Sequence, residues 1–421
     1  MNFTNESEEL MQLFIPNFNQ FLVKKTPLKQ KKLDNLLKIL YNEIKLADTW
    51  ASAKNTLSKI QTRLKEKSKK EQIVPQWIFQ ESKYIPGFVQ SYIIKHLRGY
   101  IIYKCKIGDR DVEIYFGLLN DSDFNLLGKF DKYVKRMIMW LKIAFIYAPD
   151  KCSKMLKIYC FLTPFKKQLP GNQFQILSQD NCNSAVTTSC NPHGEIIVYR
   201  QEEFMKVFIH ESFHTLGLDF STMPLSNFNK KVRHIFPLNS EFNLFEAYAE
   251  FWATTMNSLI MAYDLLDDKN DIDNFFLYSD FCIRFEQIFS LFQMVKILDF
   301  MGITYPNLYS TDSISTGIRR YLFKEKTNVF AYYIIKNLLL YNNIDFLFWC
   351  KAHNNNLLTF NKTTGSLESF LQFITSYHNN IDFLDDVVKM SAFLHKMKGS
   401  RARPKHNVLT KTMRMSLCEM E

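Results

Sequence analysis

Leu33, Leu36, Leu37, Leu40 and Ile44 recur at helical spacing, and Leu57, Ile60 and Leu64 repeat the pattern further on. These stripes predict helices over residues 1–80. The faces opposite them are lysine-rich, KKTPLKQKK at 24–32 and RLKEKSKK at 63–70, and Pro75 and Pro86 loosen the chain afterwards. From residue 88 to 200 the period shortens towards strands. YKCKIGDRDVEI (103–114) is the clearest hairpin. A two-residue turn at Gly108–Asp109 pairs Lys106 with Asp111, Cys105 with Val112, Lys104 with Glu113 and Tyr103 with Ile114. Charges then meet opposite charges, and apolar groups meet on the other face. DKYVKRMIMWLKIAFIY (131–147) reads as a buried helix stopped by Pro149, and MLKIYCFLT (155–163) and GEIIVYR (194–200) read as strands. GEIIVYR is a candidate sheet edge to which an extended peptide could add. Beyond residue 200 the chain is almost wholly helical, with a loop expected at 221–239. Aromatic-rich helices follow at 274–301, 326–341 and 366–397, their stripes suited to a core. A polar loop at 309–323 and a polar, basic tail at 398–421 complete the pattern.

Composition narrows the class. A chain of 421 residues is long for one core and predicts two or three lobes. At 47% hydrophobic and 15% aromatic it can fill them, and 12 Gly with 12 Pro argue against disorder or a repeat array. The net charge of +11 would suit an acidic surface or polyanion, the excess lying near the ends. No aromatics interleave with the lysine runs, which disfavours stacking on single-stranded nucleic acid. RMIMWLKIAFIYA is too short for a membrane span and is broken by Lys142. MNFTNESEEL lacks the layout of a secretory signal. The eight cysteines form no CxxC pair. Cys182 and Cys190 could bridge in an oxidising compartment; reduced, buried thiols in a cytoplasmic protein are the expectation.

Against this background FMKVFIHESFHTLGLD (204–219) stands out, because it contains HExxH. On a helix His210 and His214 lie one turn apart on one face, where both imidazoles can reach one Zn²⁺. Glu211, about 100° further round, can address water at the metal. Phe204, Val207 and Phe208 supply an apolar face, and Gly217 is placed to stop the helix. A hydrolytic zinc needs a third protein ligand and an open fourth position. The longer pattern HExxHxxGxxH fails, since its last position is Phe220, and Asp219 falls one residue early. SEFNLFEAYAEFWATTMNSLI (240–260) offers Glu246 and Glu250 on one helical face, a repulsive pair unless a cation is near.

HESFH followed by EAYAE resembles the gluzincin branch of zinc metallopeptidases, over about 50 residues of the chain. That resemblance implies His210, His214 and Glu246 as zinc ligands, Glu211 as general base, and Glu250 as a carboxylate steadying a ligand imidazole. The His214-to-Glu246 interval is longer than in thermolysin, and Glu250 stands where many members have Asp. The layout, with NPHGEIIVYR before the HESFH helix, also resembles predicted metallopeptidases of large nucleocytoplasmic DNA viruses.

The expected fold is therefore α+β and zincin-like. A basic helical region (1–80) precedes an upper lobe of strands and helices (81–220) and a helical lower lobe (221–397), with the metal in the cleft and a flexible tail at 398–421. The expected function is zinc-dependent hydrolysis of polypeptide, in the cytoplasm of a host cell or in a virion. Glu211 would accept a proton from the attacking water. Negative charge growing on the carbonyl oxygen calls for a donor opposite, for which His234, Tyr309, Arg319, Arg320 and Tyr321 are candidates. The alternative is a catalytically silent zincin-fold structural or interaction protein, docked on a polyanion or another protein through its basic ends.

Overall fold

The computed structural model describes residues 3–21, 27–53, 56–64, 84–399 and 404–420. Lys24 and Lys25, the lysines at 65–70 and Pro75 lie outside the described residues. The fold is α+β with a six-stranded open sheet. The chain divides into two compact units rather than consecutive blocks. One comprises Met1–Lys38, Gln168–Cys182 and Met223–Glu421, the other Ile39–Lys167 and Asn183–Thr222.

The second unit carries the sheet. Its strands are β1 (Ser58–Arg63), β2 (Gly99–Ile107), β3 (Arg110–Leu118), β4 (Met155–Thr163), β5 (Ala185–Thr187) and β6 (His193–Arg200). Their order is β1-β2-β3-β4-β6-β5. The β2–β3 hairpin has the register expected from its charges, including Lys106 against Asp111 and Tyr103 against Ile114. Gly108 takes φ +64°, as a tight hairpin turn needs. β3, β4 and β6 run parallel. A parallel pair needs a crossover, and between β3 and β4 lies the helix Leu127–Tyr147, stopped before Pro149 as expected.

Three expectations fail here. The Leu57, Ile60, Leu64 stripe is not helical, because Ser58–Arg63 joins the sheet edge as β1, antiparallel to β2. Three apolar positions do not separate a helix from a short strand, and Ile60 remains 52% exposed. β6 is not a free edge, since β5 covers it over Ile196–Val198. Backbone bonds from Tyr199 to Ser184 and from Thr188 to Glu195 extend that cover. Cys190 is not the reduced thiol expected: it bonds to Cys152, and not to Cys182, whose buried sulfur takes no part in a disulfide.

The other unit is helical. Its longest helix, Ile272–Phe300, belongs to an aromatic core in which Phe14 meets Phe289, Phe292 and Phe393. Phe346 meets Phe251, Trp349, Phe370 and Phe373. The aromatic stripes are core, as their spacing suggested. The expected loop at 221–239 contains the helix Ser226–Ile235, and that at 309–323 contains Ser313–Leu322. In the latter Asp312 caps the backbone N–H of Ser315, a helix-start signal that the polar composition concealed. The tail is not flexible over its described part. Pro404–Lys411 is a helix, and Met413, Met415 and Leu417 are buried. Among the described residues no helix is long and apolar enough to cross a membrane.

Phe330–Ile335 is a π-helical turn leading into the helix Lys336–Tyr341. Glu325 accepts the Phe330 N–H at 2.7 Å. Burial raises its carboxyl to about 7, outweighing the hydrogen bonds that favour the anion. The residue as a whole is only half-buried, so water screens part of this cost. Because the folded value exceeds the ordinary 4.5, stability is highest below that value and falls as pH rises towards 7. The loss is at most about 3 kcal/mol, and roughly 1–2 after screening. Glu325→Gln should accordingly stabilise this unit more at pH 8 than at pH 5. Denaturant unfolding at both values measures the difference; an equal effect at both would mean that the carboxyl ionises normally.

Candidate metal centre

The HExxH helix, Phe204–Thr215, starts directly after β6. Arg200 at the end of β6 donates to the carbonyls of Asn183 (2.9 Å) and Lys166 (3.1 Å). Glu203 then turns the chain with a left-handed backbone, φ +59°, while its carboxylate pairs with buried Lys167. The far end closes as the sequence predicts. Gly217 takes φ +65°, with Gly217 N–H donating to His214 O (3.1 Å) and Leu218 N–H to Phe213 O (2.8 Å). That crossed pair is a Schellman stop, which a side chain at this φ would strain. The Cys152–Cys190 disulfide lies against it, since a Cβ on Gly217 would meet Cys152 Sγ at 3.1 Å.

Rotation of the helix is set from its other face. Trp140 Nε1 donates to Ser212 Oγ (2.6 Å), and the Trp140 ring stacks on Phe213 at 5.8 Å. With residues 212 and 213 held there, His210 and His214 come together, their Nε2 atoms 3.0 Å apart. Asp219, fully buried, hydrogen-bonds Nδ1 of His214 through Oδ2. Its Oδ1 accepts from Ser221 N (2.8 Å) and Oγ (2.6 Å). An ionised carboxylate only accepts, so Nδ1 carries the proton and Nε2 of His214 presents its lone pair. Two Nε2 atoms at this distance can share either a proton or a cation.

Glu246 occupies the first turn of the helix Leu244–Asp264. Its Oε1 accepts from Asn328 Nδ2 at 3.1 Å. His210, His214 and Glu246 each offer one ligand atom, and these atoms all lie within 4.8 Å of one another. Tetrahedral zinc with bonds of ~2.0–2.1 Å puts its ligand atoms roughly 3.3 Å apart, so the 3.0 Å between the imidazoles suits one ion. Two neutral nitrogens and a carboxylate suit Zn²⁺ better than Mg²⁺ or Ca²⁺, which prefer all-oxygen shells. The donor set therefore fits the metal that the sequence implies.

Glu211 is buried on the same helix, and Glu250 is buried one turn beyond Glu246. Asp219 orients His214, a role that the sequence reading did not assign to it. The sequence held that signal, because the chain reversal at Gly217 returns a carboxylate towards the preceding turn. Arg319 is buried and donates to the carbonyls of Asn307 (2.5 Å) and Ser310 (2.6 Å), a structural commitment. Tyr309 packs edge-on against Tyr305 and His378. His234, Arg320 and Tyr321 are exposed.

Comparison with known proteins adds no relative, as no family model, curated protein or solved structure matches the chain. The functional reading rests on the site itself.

Proposed function

We propose that the protein is a zinc-dependent peptide hydrolase with a zincin-like fold, its metal held by His210, His214 and Glu246. One observation carries this reading: three residues of the right donor types, 36 positions apart at the extremes, offer ligand atoms within 4.8 Å. When bound, zinc would supply a Lewis acid and lower the pKa of a bound water to about 7. Glu211 accepts the proton of the attacking water. Asp219 keeps His214 in the tautomer whose Nε2 can bind. Polypeptide is proposed as substrate from the likeness of HESFH and EAYAE to gluzincins, and a viral setting is proposed on the looser likeness alone.

Elemental analysis of the purified chain should find about one zinc per molecule. Chelation should abolish hydrolysis of a peptide mixture, and added zinc should restore it. A chain that neither contains nor takes up a transition metal would sink the site. One that binds zinc without cleaving any peptide would favour the silent scaffold.

A further inference from the structure

Glu246 and the N-cap of its helix, Asn243, meet a single side chain from a distant part of the sequence. Asn328 donates Nδ2 to Glu246 Oε1 (3.1 Å) and receives Asn243 Nδ2 on its own Oδ1 (3.0 Å). The direction of this relay follows from its ends. A carboxylate offers acceptors alone, so the Asn328 amide must turn its nitrogen to Glu246 and its oxygen to Asn243. Asn243 makes no side-chain cap to its own helix. Its amide serves the relay instead.

The segment bearing Asn328 is itself fixed. Lys326 N–H donates to Leu177 O (2.8 Å), Glu325 takes the Phe330 N–H, and Tyr332 N–H donates to Asn328 O (2.9 Å). The last bond enters the π-helical turn Phe330–Ile335, an irregularity that recurs at functional sites in proteins generally. A polar side chain held this firmly against one oxygen of a ligand carboxylate can restrict its rotation before any metal arrives. Carboxylate ligands commonly need such an outer hydrogen bond.

We propose that Asn328 is a positioning residue for the metal centre, fixing the Glu246 carboxylate through Nδ2, with Asn243 fixing Asn328 in turn. The inference rests on Glu246 being a zinc ligand, and its test separates the two. Zinc affinity is measured by chelator competition at fixed pH for the full chain and for Asn328→Leu, each with Glu246 intact or replaced by Gln. With Glu246 present, Asn328→Leu should weaken zinc by roughly 10–100-fold. In the Glu246→Gln background the same change should cost less than about twofold, because its target is already altered. Equal losses in both backgrounds would make Asn328 merely structural and overturn the proposal. So would no loss from Asn328→Leu where Glu246→Gln alone is damaging. If Glu246→Gln itself leaves affinity unchanged, the third-ligand reading falls first, and this inference with it. Should Asn328→Leu fail to fold, Asn243→Ala decides. It removes only the donor that orients the amide, and should give a smaller loss in the same direction. Unchanged affinity would overturn the relay.

Discussion

A Glu211→Gln chain should keep about one zinc and lose peptide hydrolysis by roughly 10²–10⁴-fold, the usual weight of a positioned general base. The substitution preserves the size and shape of a buried side chain in the middle of the Phe204–Thr215 helix. It removes only the capacity to accept a proton. The metal should survive, because its proposed ligands are the neighbouring imidazoles and a carboxylate from another helix. Substrate should still bind, so the loss should appear in kcat rather than KM. The measurement is zinc content together with initial rates on one cleaved peptide. Retained activity would move the base elsewhere. Loss of zinc would make Glu211 a ligand or a structural support rather than a base.

The residues that could be read in the sequence share one property, that their meaning is local. HExxH places two imidazoles on one turn by helix geometry alone. The hairpin register follows from a two-residue turn and four side-chain pairs, and the structure keeps every pair. Gly217 and Pro149 end helices for backbone reasons that operate at a single residue. What escaped depends on distant partners. Asn328 lies 82 residues from Glu246, and nothing near either position announces the contact. Cys152 and Cys190 are 38 residues apart, and their pairing follows from the loops around β4 and β6. β5 is three residues long, too short for alternation to register. The tail misled for a different reason. Its basic composition suggested solvation, while Met413, Met415 and Leu417 alternate with the period of an extended buried strand. Arg414, between two of them, is fully buried and paired with Glu419 at 2.9 Å.

Deleting residues 412–421 should therefore prevent the helical unit from folding, although the deletion touches no residue of the candidate site. The segment lies in a groove whose side chains take up its backbone. Tyr333 donates to Met413 O (2.8 Å), Gln293 to Arg414 O (2.7 Å), Lys336 to Met415 O (2.7 Å) and Asn257 to Cys418 O (2.6 Å). Lys296 donates to Thr412 O. Glu286 Oε1 accepts three bonds, from Ser416 Oγ (2.6 Å), Leu417 N (2.8 Å) and Cys418 N (2.7 Å). Glu286, Lys296 and Lys336 are all essentially fully buried. Removing the segment strips each of hydrogen-bond partners that offset its desolvation, at about 1.5–3 kcal/mol for each hydrogen bond to a charged group. Three such losses rival the whole stability of a typical domain, ~5–15 kcal/mol. Glu286→Ala in the full chain is the milder form. It leaves two buried N–H groups and a hydroxyl without their acceptor, and should cost roughly 3–5 kcal/mol. Denaturant midpoints of the full chain and the Glu286→Ala chain, with the solubility and melting of the truncated one, measure both effects. A truncated chain that melts cooperatively at the temperature of the full chain would show that the helices close without their C-terminal strap.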